Sequence, residues 1–112
     1  MNEILYTLLV TVTIYHADPK QTDDTPFITA SNKTIDSLNP AKHRWIAVSR
    51  DLEPLGFTFG ACVYIEGISE ELDGEWEVQD RMNKRWKKRI DLLVNKDRMC
   101  CRWDNIKLTL LK

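Results

Sequence analysis

The chain is short of most residues that would place it in a special class. Among its 112 residues there are only 4 glycines, 4 prolines and 3 cysteines. So little glycine and proline excludes collagen-like and low-complexity chains, and 43% hydrophobic with 29% charged residues excludes global disorder. No apolar run approaches the roughly 20 residues needed to cross a bilayer. Cys62, Cys100 and Cys101 form no C-x-x-C, and His16 and His43 stand far from them in sequence. That argues against a local zinc motif, so no metal and no other cofactor is expected. An odd count with two adjacent members makes a poor disulfide framework, and three reduced, mostly buried thiols are expected.

The small net charge of −1 hides an uneven distribution. Residues 1–80 hold 5 Lys/Arg against 14 Asp/Glu, a net of −9, and residues 81–112 hold 11 against 3, a net of +8. Length alone predicts one domain over 1–112. The opening Met1-Asn2-Glu3 is followed by the apolar Leu8 to Ile14 but carries no basic flank, and no small-x-small cleavage site follows. Thr7, Thr11 and Thr13, interleaved with β-branched and aliphatic residues, are strand chemistry instead.

Short strands are predicted at Leu8–Tyr15, Phe27–Ala30, Trp45–Val48, Ala61–Glu66, Glu75–Gln79, Ile90–Val94 and Ile106–Leu111. Polar, proline-bearing segments at Asp18–Pro26 and Asp36–His43 separate them. A turn is expected at Glu53-Pro54-Leu55-Gly56, and Asn95 is placed to cap a short helix over Lys96–Trp103. Six or seven short strands with one helix point to a small closed β-barrel. Trp45, Trp76 and Trp103 fall within these patterns and read as core.

The densest feature is the stretch Asp80-Arg81-Met82-Asn83-Lys84-Arg85-Trp86-Lys87-Lys88-Arg89-Ile90-Asp91, with six cations and one indole between two carboxylates. A solvated hairpin tip is the plain reading. A nucleic-acid surface is the less favoured one, because the acidic remainder of the chain repels a phosphate backbone. A third reading starts from Asp80 and Asp91, since paired carboxylates at a barrel mouth raise one pKa and make a general acid.

The ordered set Thr13-x-Tyr15, Thr29-Ala30-Ser31-Asn32, Ile46-Ala47-Val48, Pro54-Leu55-Gly56, Val63-Tyr64-Ile65-Glu66-Gly67, Asp80 and Arg89-Ile90-Asp91 resembles the three-aspartate (3D) domain. That domain is a double-psi β-barrel found in lytic transglycosylases and stationary-phase survival muralytic enzymes, more distantly similar to rare lipoprotein A and the expansins. The resemblance runs from about Thr13 to Leu110. It implies cleavage of the bond between N-acetylmuramic acid and N-acetylglucosamine in peptidoglycan, with a 1,6-anhydro product. Asp91 matches the family's acid/base and Asp80 its partner. Thr29, Ser49, Lys88, Trp86 and Tyr15 are the expected substrate-binding residues.

Two departures stand out. Ser49 occupies the position of the family's first aspartate and supplies a hydroxyl without a charge, and Arg81-Met82-Asn83 replaces the small residues and glycines that usually follow the second. A non-catalytic glycan-binding or assembly module on the same barrel is the alternative. The expected partners are peptidoglycan glycan strands, with a protein partner through the basic loop 81–89 as a further possibility and no membrane span. The resemblance implies the cell envelope or the extracellular space. Since no signal peptide is visible, phage-encoded delivery or loss of a leader is the expected route.

Overall fold

Alternation along each strand decides which residues face inward. Val10 and Val12, Ile46 and Val48, Val63 and Ile65, Trp76 and Val78, Ile90 and Leu92, and Ile106, Leu108 and Leu110 are all buried. Side chains of period two from six strands can enclose one core only if the sheet curls onto itself. The computed structural model, which describes residues 4–17, 27–98 and 101–111, is such a barrel. Its strands are β1 (Ile4–Tyr15), β2 (Trp45–Val48), β3 (Cys62–Glu66), β4 (Gly74–Arg81), β5 (Arg89–Leu93) and β6 (Trp103–Leu111).

The barrel closes in the order β1-β5-β2-β4-β3-β6. β1 runs parallel to β5 and β2 parallel to β4, while the β5–β2, β4–β3, β3–β6 and β6–β1 seams are antiparallel. Two short 3-10 turns, Pro40–His43 and Arg50–Leu55, flank β2. The second ends on Gly56 at φ +113°, where a β-carbon would meet Leu110 Cδ2 at 2.7 Å. Glycine satisfies both the backbone angle and the close approach.

A smaller cluster lies outside the barrel wall. Ala17, Ile35 and Leu93 are buried there, with Tyr15, Phe27 and Trp45 packed against them. Leu93 follows Asp91 by two residues on β5, so this cluster covers the same outer face on which Asp91 stands.

Three expectations need correction. Among the described residues there are six strands, the lower of the two expected counts, and the predicted strand Phe27–Ala30 makes only a single bridge, Ile28 to Thr34. Among the described residues no helix follows Asn95: its side chain accepts from the Ala41 amide and donates to Asn39 Oδ1, the chain turns through Arg98 N–H to Asn95 O, and Trp103 already opens β6. Side-chain contacts with the Pro40–His43 turn and its preceding Asn39 thus use the amide that a helix cap needs; Met99 and Cys100 lie outside the described residues. Finally, Cys62 is a free thiol but Cys101 is disulfide-bonded, so the expected set of three reduced thiols does not hold. Trp76 is core, whereas Trp45 stacks on His43 at 3.9 Å and Trp103 is partly buried against the core.

Candidate active site

Ile46, Val48, Ile90 and Leu92 point into the barrel, so Ala47 and Asp91 between them point out. Asp91 on β5 and Asp80 on β4 both lie directly opposite Ala47 of the intervening strand β2. Two strand spacings put their Cα atoms about 10 Å apart. Asp80 reaches this row only because the β2–β4 register shifts between Ile46 and Ala47, leaving Gln79 as an extra residue. A bulge of this kind re-aims the side chain that follows it. Alanine at position 47 is buried between the two carboxylates and puts no polar side chain between them.

β1 supplies the rest of the row. Thr13 lies opposite Asp91 in the parallel β1–β5 pair, and its hydroxyl donates to Asp91 Oδ1. The same hydroxyl accepts from Arg89 Nε at 3.4 Å. Tyr15, two residues further along the same face, has a buried hydroxyl that, among the described residues, meets no partner at strict hydrogen-bond geometry. It faces Asp80 and Asp91: burial first, and then the two carboxylate charges, hold its pKa well above the ordinary phenol value.

Asp91 has its pKa pushed up from 3.8 to about 6. Burial is the main cause, the Arg89 guanidinium works against it, and the Asp80 charge adds to it. Asp80 accepts hydrogen bonds on Oδ1 from the Ala30 amide at 3.1 Å and from its own neighbour, the Arg81 amide, at 3.0 Å. One carboxyl that holds a proton near neutrality beside a second one held by backbone donors is the asymmetry that acid/base chemistry requires.

Thr29 is adjacent but inward-turned. Its hydroxyl contacts Ser31 Oγ at 2.7 Å and accepts from the Lys33 amide at 3.0 Å, and Ser31 donates in turn to Gln79 Oε1 at 2.5 Å. This network pins the Ala30 amide onto Asp80. Ser49 is fully buried, and its Oγ accepts from the Arg89 amide at 3.0 Å, extending the β2–β5 seam. Lys88 is exposed at φ +47°, its amide donating to Asp51 Oδ2 at 3.0 Å. Trp86 is sandwiched between the guanidinium groups of Arg85 (4.7 Å) and Arg89 (4.1 Å).

Asp80, Asp91 and Tyr15 therefore share one site, Trp86 joins it through Arg89, Thr29 supports it from behind, and Ser49 and Lys88 anchor the loop beyond Arg89. Sequence reasoning gave no role to Thr13 or Arg89. The available signal was strand alternation, which puts Thr13 on the face of Tyr15 and Arg89 on the face of Asp91. Among the described residues, no three His, Cys, Asp or Glu side chains gather as a metal site, and no helix is long and apolar enough to cross a membrane.

Fold and site together define a six-stranded closed β-barrel with paired carboxylates on its outer wall. No family model matches the chain, and no curated protein matches it. Among solved structures the chain is similar to the Streptomyces papain inhibitor (SPI), with a TM-score of 0.62 at 17% identity over 97% of each chain. That similarity spans the barrel and concerns the fold.

Proposed function

We propose that this chain is a double-psi barrel of the three-aspartate type that binds peptidoglycan glycan and cleaves it as a lytic transglycosylase, with Asp91 as acid/base. The observation that carries the reading is the pairing of Asp91, protonated up to about pH 6, with Asp80 across Ala47. The two parallel pairs, β1 with β5 and β2 with β4, meeting at the antiparallel β5–β2 seam, support the double-psi assignment.

In the proposed reaction the Asp91 proton passes to the glycosidic oxygen as its bond to the anomeric carbon breaks. The 6-hydroxyl of the same N-acetylmuramic acid then closes on that carbon, and its proton returns to Asp91. No water enters and the carboxyl ends as it began. Asp80, across Ala47 from the acid, is the group placed to stabilise the positive charge that develops on the sugar ring. Thr13 holds the Asp91 carboxyl, the buried Tyr15 hydroxyl faces both carboxyls, and Trp86 and Lys88 border the substrate path.

Incubation with purified sacculi and mass spectrometry of the soluble fraction tests this. Anhydro-muropeptides are expected from the parent chain and not from Asp91→Asn, with the rate falling above about pH 6 as the acid loses its proton. Release that persists in Asp91→Asn defeats the assignment.

A second reading is a barrel that binds without turnover. It is favoured by the hydroxyls of Thr29 and Ser49, both spent on internal hydrogen bonds, and by the similarity in fold to the Streptomyces papain inhibitor. Sacculus binding without fragment release, or inhibition of papain in a parallel titration, selects it.

A further inference from the structure

The loop between β4 and β5 carries Lys84, Arg85, Lys87 and Lys88 on its exposed surface. Arg81 of the same stretch pairs with Glu53 at 3.0 Å, but among the described residues none of these four has an ion-pair partner. Four unpaired cations close together repel one another, and nothing in the barrel's own folding calls for them.

The loop is nevertheless held. Trp86 N–H donates to Asn83 O at 3.1 Å, and Asn83 Oδ1 accepts from the Arg85 amide at 3.0 Å. Lys88 is tied by Asp51 on one side and, through its carbonyl, by the Thr11 amide at 3.0 Å on the other. Trp86 fills the space between Arg85 and Arg89, and Arg89 reaches Thr13, which holds Asp91. A continuous run of contacts, Arg85–Trp86–Arg89–Thr13–Asp91, therefore fixes a cationic platform beside the acid.

We infer that this loop is an anion subsite that takes the carboxylates of the stem peptides on peptidoglycan, so that the chain prefers glycan still bearing its peptides. The inference rests on the glycan-binding reading above and adds the part of the substrate it selects. Discrete carboxylates fit better than a continuous phosphate chain. The rest of the molecule, outside residues 81–89, is acidic, with a net of −7. A long polyphosphate lying across the loop would run onto that surface and be repelled, whereas short peptides branching from a neutral glycan meet the loop alone.

The test uses Asp91→Asn as the binding-only background and measures co-sedimentation with three sacculus preparations. These are intact sacculi, sacculi stripped of stem peptides by an amidase, and sacculi freed of phosphate polymers by hydrofluoric acid. Binding to intact and acid-treated sacculi is expected to be equal and to weaken as salt rises, with roughly tenfold weaker binding to peptide-stripped glycan. The triple variant Lys84→Gln/Lys87→Gln/Lys88→Gln, all at exposed positions, is expected to bind all three preparations at that weaker level, and the matching Arg variant to restore the preference. Equal binding to stripped and intact sacculi by the parent overturns the inference while leaving glycan binding standing. Loss of binding on acid treatment overturns it in favour of wall phosphate. No binding to any preparation overturns both the inference and the reading beneath it.

Discussion

Asp91 is held in a form that its surroundings disfavour. Its carboxyl titrates near 6 when folded and near the ordinary 3.8 when unfolded, so between those values the native state binds more protons than the unfolded chain. Stability therefore falls as pH rises through that window, and above it the charged form costs the fold about 3 kcal/mol. Asn at this position is nearly the same shape and carries no charge. Asp91→Asn is expected to be more stable than the parent by up to about 3 kcal/mol at pH 8, the gain shrinking to near zero by pH 4. Urea denaturation at the two pH values measures it, and a constant difference across the range would show that burial is not what raises the carboxyl's pKa. The two aspartates could be singled out from the sequence because they sit close together in one conspicuous stretch. Thr13 and Arg89 could not, because their meeting depends on parallel pairing between strands 76 residues apart.

Arg44 shows how an element end is held by one side chain. It closes the Pro40–His43 turn at φ +54°, a left-handed angle that an arginine adopts only under constraint. The constraint is its guanidinium, which donates to the carbonyls of Glu71 (2.9 Å), Asp73 (3.0 Å) and Glu75 (3.2 Å) and lies over Trp76 at 4.0 Å. This fork ties the start of β2 to the β3–β4 connection and to the first residues of β4. Arg44→Ala is expected to lower unfolding stability by about 2–3 kcal/mol, and Arg44→Lys to recover only a minor part, since an ammonium cannot span three carbonyls in a plane. Thermal or chemical denaturation of both variants checks it; full recovery by lysine would mean that charge and not the fork matters. The strands themselves were legible from alternation, and most ends fell within a few residues of those predicted. The bulge at Gln79 was not, because a register shift belongs to the pairing of two strands and leaves no mark on either one alone. The proposed helix after Asn95 failed for a similar reason, its cap residue being used by the Pro40–His43 turn.

Closure of the whole barrel makes nearly every strand contact non-local. Only β3 and β4 are neighbours both in sequence and in the sheet; β1 meets β5 and β6, near the other end of the chain. Ordering the long intervening segments precedes the gain from pairing, so the main refolding phase is expected in milliseconds to seconds. It also follows that the order of events is uneven. The β3–β4 hairpin closes a short loop and forms early at low entropic cost, whereas β1 inserts last, sealing two seams at once. Val63 on β3 and Val12 on β1 are equally buried, so truncating either to alanine costs a comparable amount, about 2 kcal/mol. The kinetic consequences separate them. Val63→Ala is expected to slow refolding with little change in unfolding, and Val12→Ala to speed unfolding with little change in refolding. Stopped-flow chevron plots of the two variants against the parent decide the matter, and the reverse pattern would place the seal of β1 against β5, and with it the Thr13–Asp91 contact, at the start of folding and not at its end.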